Sequence, residues 1–232
     1  MRNSALIVAA GRGSRMKQST PKQYLSLREQ TVLERTINIF IKHCRINNLQ
    51  VVINPEDEAL YAEAVSGICS SKLCSPVFGG STRALSVLQG LEALRSKDPQ
   101  TVIIHDAARP LCPDELIDSV LDTLDTFDGA FAALPITDAL WKVEDGCAIQ
   151  SVNREQVWRA QTPQAFAFQK ILNAHLNCQT SAKDDVEVAL AANLSVKAVQ
   201  GAEDNFKITH PSDLTRAAHV MQQQALPRTG TI

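Results

Sequence analysis

The sequence offers no low-complexity linker, no internal repeat and no apolar run of membrane-spanning length. The apolar stretch within MRNSALIVAAG falls far short of the ~20 residues a membrane span needs and passes straight into Gly and Arg. It reads as a core strand of a cytoplasmic protein with no membrane partner. An excess of one charge is missing too, because 23 basic residues against 25 acidic ones leave a net charge of -2. That balance gives no global field for nucleic acid, so an anionic ligand must meet a local basic cluster. Cys44, Cys69, Cys74, Cys112, Cys147 and Cys178 form no C-x-x-C pair, and no two histidines stand at H-x-x-x-H spacing. A resident metal site is therefore not indicated, and a metal would arrive with the substrate.

What is present is an alternation of strand-length apolar runs with segments of helical period. Residues 5–8 open as a strand, and 31–43 follow as a helix in which Val32, Leu33, Ile37, Phe40 and Ile41 recur at helical spacing. Residues 49–53 and 101–105 are short and β-branched, as expected for parallel strands covered on both faces. Helices are expected over 82–94 and over 113–127, the latter opening with Pro-Asp-Glu, then near 169–176, over 184–192 and after Pro211, with a strand at 196–199. Residues 129–143 break the rhythm: 130–136 is strand-like, but the chain runs on through Trp141 into the turn-like Glu144, Asp145 and Gly146, and 149–152 can return beside it. This predicts an arm leaving the main sheet over about 136–155. Trp141 and Trp158 fall close to it, as core packing or as a subunit contact. One domain over 1–225 and a flexible tail at 226–232 complete the expected organisation.

Three segments carry chemistry. The first strand ends in AAGRGSRM (9–16), with PKQY at 21–24; small residues let backbone N–H groups approach a phosphate, and Arg12, Arg15 and Lys22 add charge. Gly11-x-Gly13 alone is also compatible with a plain tight turn. A dinucleotide fingerprint fails because Met16 stands where a third small residue belongs, and no Walker A sequence occurs. HDAARP (105–110) follows a buried strand, which sets Asp106 at a carboxyl end where α/β sheets bind ligands. Asp106 would there orient a sugar hydroxyl or hold Mg²⁺, with Arg109 beside it; alternatively Asp106 caps a turn and Arg109 is its ion partner. FGGSTRALSV (78–87) places two glycines before a helix that Ser81 or Thr82 can cap, either as a ligand site or as a plain capped helix.

Taken in order, AAGRGSRM with PKQY, GG-x-x-R-x-x-SV, HDAARP, the V-x-R of Val152 to Arg154, TPQ at 162–164 and NFKIT at 205–209 resemble the methylerythritol phosphate cytidylyltransferase family. The resemblance implies a Rossmann-like, doubly wound, mostly parallel α/β sheet whose protruding β-arm is exchanged across a homodimer. It implies that Arg15 and Lys22 stabilise charge on the α-phosphate of CTP, and that Arg154, from the partner subunit, and Lys207 position a polyol phosphate. Ala9, Ala10, Gly11, Arg12, Gly13, Gly80, Ser81, Ser86 and Ala107 would hold CTP, and Asp106, Arg109 and Thr162 would line the site near sugar and phosphate. Mg²⁺ or another divalent cation would come with CTP, with Asp106 as its protein ligand.

The chain departs from the family pattern at Ala139, where many members have Thr, and at Lys183 and Asn153. A ribitol 5-phosphate acceptor and a CTP-binding module without turnover therefore stay open. Residues Pro227 to Gly230 are similar to the start of the cyclodiphosphate synthase to which some family members are fused, so fusion to or association with that enzyme is a further expectation.

Overall fold

A computed structural model describes residues 2–12, 20–178 and 182–225. The chain enters through β1 (Asn3–Val8), a small hairpin of β2 (Ser26–Leu27) and β3 (Gln30–Thr31), and α1 (Val32–Lys42). The sequence dictates the start of α1: the Thr31 hydroxyl accepts from the Glu34 N–H while the Glu34 carboxylate accepts from the Thr31 N–H, a reciprocal cap that satisfies two first-turn donors. Next come β4 (Ile46–Ile53), α2 (Glu58–Val65), β5 (Val77–Phe78), α3 (Arg83–Leu94), β6 (Thr101–Asp106), α4 (Asp114–Thr123) and β7 (Gly129–Pro135). The hairpin β8 (Leu140–Glu144) and β9 (Cys147–Val152) leads into β10 (Trp158–Ala167), α5 (Phe168–Asn177), α6 (Asp185–Ala191), β11 (Val196–Gln200) and α7 (Pro211–Ala225).

Seven strands form one sheet in the order β11-β7-β10-β6-β1-β4-β5, parallel except for β10, which runs against both β6 and β7. Side-chain alternation along the strands builds two cores. Ala5, Ile7 and Ile103 pack with α1, α2 and α4 on one face, and Leu6, Val102 and Ile104 pack with α3, α5 and α6 on the other. This is the doubly wound, mostly parallel architecture expected. A third cluster joins α7 to β2 through Leu27, Ala217 and Val220. No helix among the described residues is long and apolar enough to cross a membrane.

The structure adds β10, which hydropathy did not reveal. It lies between β6 and β7 yet buries Gln161, Thr162 and Gln164, and its register with β7 shifts between Ala160 and Gln164, where Pro163 falls. Proline is compatible with a sheet at such an irregularity because the missing N–H is not needed for the ladder. The arm takes the form of a two-residue hairpin. Asp145 and Gly146 have φ of 50° and 80°, the left-handed pair of a tight turn whose twist matches its strands. Every residue of β9 is exposed, and so are Trp141 (58%) and Trp158 (43%), so core packing of the two tryptophans is excluded within one chain. The tail expected at 226–232 lies outside the described residues.

Candidate active site

The loops that leave β1, β4, β5 and β6 at their carboxyl ends enclose a cavity of about 480 Å³. Its floor is fixed by the backbone. The Ala9 N–H donates to the Val52 carbonyl at 2.8 Å and the Ala107 N–H to the Val8 carbonyl at 3.1 Å, so the segments after β1 and β6 stay in sheet register beyond the strands. Gln23 is buried beneath them and donates to the carbonyls of Ala9 (2.7 Å) and Gly11 (3.1 Å), tying PKQY to the loop after β1. Thr82 rather than Ser81 caps α3, accepting from the Leu85 N–H at 3.1 Å.

Charge converges on this floor. Among the described residues, Arg12, Lys22, Arg83 and Lys207 line the cavity against one carboxylate, Asp106. Asp106 lies 2.8 Å from Lys207 Nζ, 3.6 Å from Arg109 Nε and 3.9 Å from Arg83 Nε. Burial pushes this carboxyl up, but Lys207, Arg83 and Arg109 outweigh it and hold it far below the usual carboxylate range. Asp106 is therefore ionised at any working pH. Lys22 Nζ donates to the Ile208 carbonyl at 2.7 Å, and the Ile208 N–H donates to the Ala108 carbonyl at 2.8 Å, which brings the NFKIT segment beside HDAARP. Arg12 is held by Glu56 and, at 3.6 Å, by the buried Asp57.

Behind Asp106 runs a chain of buried hydrogen bonds. His105 Nε2 lies 3.1 Å from the Arg109 carbonyl, which can only accept, so the ring proton belongs on Nε2. Nδ1 then accepts from the Thr162 hydroxyl at 3.1 Å, and Thr162 Oγ1 accepts from the Asp106 N–H at 3.0 Å. Burial pushes the His105 imidazole down to about 4, which keeps this chain in its neutral form. Arg109 also donates to the Asn205 carbonyl at 2.7 Å, and Asn205 donates to the Thr162 carbonyl at 2.8 Å. One network thus locks β6, β10 and the NFKIT segment around Asp106.

Of the residues expected from sequence, Ala9, Ala10, Gly11, Arg12, Lys22, Gly80, Ser81, Ser86, Asp106, Ala107 and Lys207 line the cavity. Arg109 and Thr162 are buried behind it and act on Asp106 from there. Arg154 follows β9, is exposed, donates to the Thr137 carbonyl and does not line this cavity. Gly13 and Arg15 lie outside the described residues. Gln23, Arg83 and Thr209 were missed, although PKQY, GG-x-x-R and NFKIT contain them; short motifs do not say which member faces inward. The departures Ala139 and Lys183 are both exposed, and Lys183 donates its N–H to Glu187 at 2.8 Å.

A cationic cavity outside the carboxyl ends of parallel strands, floored by small residues and carrying one carboxylate among the described residues, defines an α/β nucleotide-binding protein built for phosphate groups. The particular family follows from comparison: the chain belongs to the 2-C-methyl-D-erythritol 4-phosphate cytidylyltransferase family, whose model matches residues 4–223. It is 44% identical to the 2-C-methyl-D-erythritol 4-phosphate cytidylyltransferase of Cereibacter sphaeroides over 221 residues, covering 95% of this chain and 97% of that protein. Identity is also 44% over 221 residues to the bifunctional enzyme IspD/IspF of Rhodobacter capsulatus, covering 95% of this chain and 56% of that one. The crystal structure of 2-C-methyl-D-erythritol 4-phosphate cytidylyltransferase from Thermus thermophilus aligns with a TM-score of 0.80 at 30% identity, covering 96% of this chain and 100% of that chain.

Proposed function

We propose that this chain transfers CMP from CTP to 2-C-methyl-D-erythritol 4-phosphate, releasing pyrophosphate, as a step of isoprenoid precursor synthesis in the cytoplasm. The observation that carries this reading is the cavity in which Arg12, Lys22, Arg83 and Lys207 face one ionised carboxylate. An acceptor phosphate has its second pKa near 6, so it is largely a dianion near neutral pH and needs no general base. Its oxygen attacks the α-phosphorus of CTP, a new P–O bond forms, and the bond to the β-phosphate oxygen breaks with its electron pair leaving on pyrophosphate. The protein's task is placement and charge.

In this reading Lys22 and Arg15 offset charge at the α-phosphate, and the backbone from Ala9 to Gly13 with Gly80, Ser81 and Ser86 receives CTP. Lys207 meets the acceptor phosphate together with Arg154, which reaches from the partner of a homodimer. Among the described residues Asp106, a hard oxygen donor, is the only acidic group lining the cavity, and no group of three or more potential ligands clusters there or elsewhere. In this reading Asp106 would be the protein group that holds a divalent cation such as Mg²⁺ arriving with CTP, and the ion would supply neutralisation of phosphate charge. The bifunctional relative supports association with the cyclodiphosphate synthase, joined or separate.

The test is pyrophosphate release from CTP and Mg²⁺ with 2-C-methyl-D-erythritol 4-phosphate or ribitol 5-phosphate supplied in parallel. Release with the first acceptor alone is expected, and release with the second alone overturns the assignment. Lys22→Ala is expected to lower kcat by about 10²- to 10³-fold, as removal of one preorganised charge-stabilising donor does. Unchanged turnover in that variant removes Lys22 from the reaction.

A further inference from the structure

Behind the cavity wall Arg83, which lines the cavity, is backed by Asp185 and His175, two residues to which the transfer reaction assigns no part. Arg83, on the first turn of α3, reaches two carboxylates: its Nη2 is 2.7 Å from Asp185 Oδ2 and its Nε is 3.9 Å from Asp106 Oδ1. Asp185 opens α6, is completely buried, and presents its other oxygen 3.2 Å from Nε2 of His175 on α5, a side chain 1% exposed. The Asp185 N–H donates to Gln164 Oε1 at 3.2 Å, which ties α6 to β10. A carboxylate removed from water is kept ionised only by matching charge. Burial pushes the Asp185 carboxyl up, and Arg83 and His175 outweigh it and hold it below the usual range.

We propose that Asp185 and His175 are positioning residues for nucleotide binding and transfer: through the guanidinium of Arg83 they hold the Asp106 carboxylate aimed into the cavity. The geometry supplies the reason. Arg83 is shared between a carboxylate in the cavity wall and one that cannot leave the core, and a planar fork can serve both at once. With the Asp185 charge gone, Arg83 is free to turn wholly onto Asp106, which already carries Lys207 and Arg109. The carboxylate would then be drawn away from ligand. His175 Nε2 faces the other Asp185 oxygen at 3.2 Å without a well-aligned hydrogen bond and backs that carboxylate from the far side, so the cluster spans α5, α6, α3 and β6.

The inference rests on CTP being the nucleotide, and its test is arranged so that the two readings fail separately. CTP binding is measured by calorimetry and turnover by pyrophosphate release, for wild type, Asp185→Asn, Arg83→Met and the double variant. Asp185→Asn is expected to weaken CTP binding and lower kcat/KM for CTP by about 10- to 100-fold, the usual effect of removing a group that orients a ligand-contacting residue. The KM for the acceptor should move little. In the Arg83→Met background the same substitution is expected to cost nothing further, because its route to Asp106 is already cut. Losses that multiply in the double variant, or wild-type CTP binding in Asp185→Asn, overturn the proposal. If Asp185→Asn does not fold, the cycle run with His175→Gln and Arg83→Met gives the same decision. A wild type that binds CTP but does not turn over refutes the assigned reaction and leaves the binding cycle to decide this inference.

Discussion

His105 shows how one residue couples the site to the fold. The ring is fully buried, its centroid lies 4.9 Å from that of Phe40, and both ring nitrogens are engaged in the chain that ends on the Asp106 N–H. Its pKa is pushed down to about 4 in the folded protein, against an ordinary value near 6.5 in the unfolded chain. Between those values the unfolded state binds the proton more readily, so stability falls as pH drops from about 6.5 towards 4 and is independent of this group above 6.5. The depression corresponds to up to about 3 kcal/mol by pH 4. Urea unfolding at pH 7, 5 and 4 should show that loss, and His105→Gln should flatten it over the same range; an equal slope in the variant would reject the assignment. The position of Asp106 was legible in the sequence because a buried strand runs straight into it. His175 and Asp185 were not, because each looks ordinary until the fold buries them against each other.

At the scale of elements, legibility followed hydropathy. Most helices and parallel strands stood out because each has a face that the two cores bury; α2 and the two-residue β5 did not, and β10, which presents Gln161, Thr162 and Gln164 to its neighbours, has no apolar alternation to mark it. Its polar groups are satisfied by tertiary hydrogen bonds that a linear pattern cannot reveal. A different hidden constraint governs α3. A Cβ on Gly90 would lie 2.3 Å from Leu6 Cδ1 and 2.7 Å from Val52 Cγ2, so this helix rests on β1 and β4 through a glycine. Ala is the better helix former by about 1 kcal/mol, but overpacking a full core costs roughly 1–3 kcal/mol, and the clash wins. Gly90→Ala should therefore lower unfolding free energy by up to about 2 kcal/mol, measured by urea denaturation. A stabilised variant would mean that α3 can move off the sheet at little cost.

At the scale of the whole molecule, a two-stranded arm with Val143, Ile149, Trp141 and Val152 exposed is poorly accounted for in a single chain. An isolated hairpin is marginal in water, and an apolar patch of this kind marks an interface. The same arm leads into Arg154, which the cavity of its own chain does not use. In the proposed homodimer the two facts have one cause: the arm packs on a second copy and delivers Arg154 to that copy's cavity. Mixing two disabled chains tests this. Lys207→Ala and Arg154→Ala homodimers should each be nearly inactive. A heterodimer made of one of each has one cavity carrying both defects and one carrying none if Arg154 acts across the interface. Random exchange at equal amounts should then restore about a quarter of wild-type turnover, since half of the dimers are mixed and each mixed dimer has one intact site. If Arg154 serves its own chain, every cavity in the mixture keeps one defect and activity stays at the level of the parents.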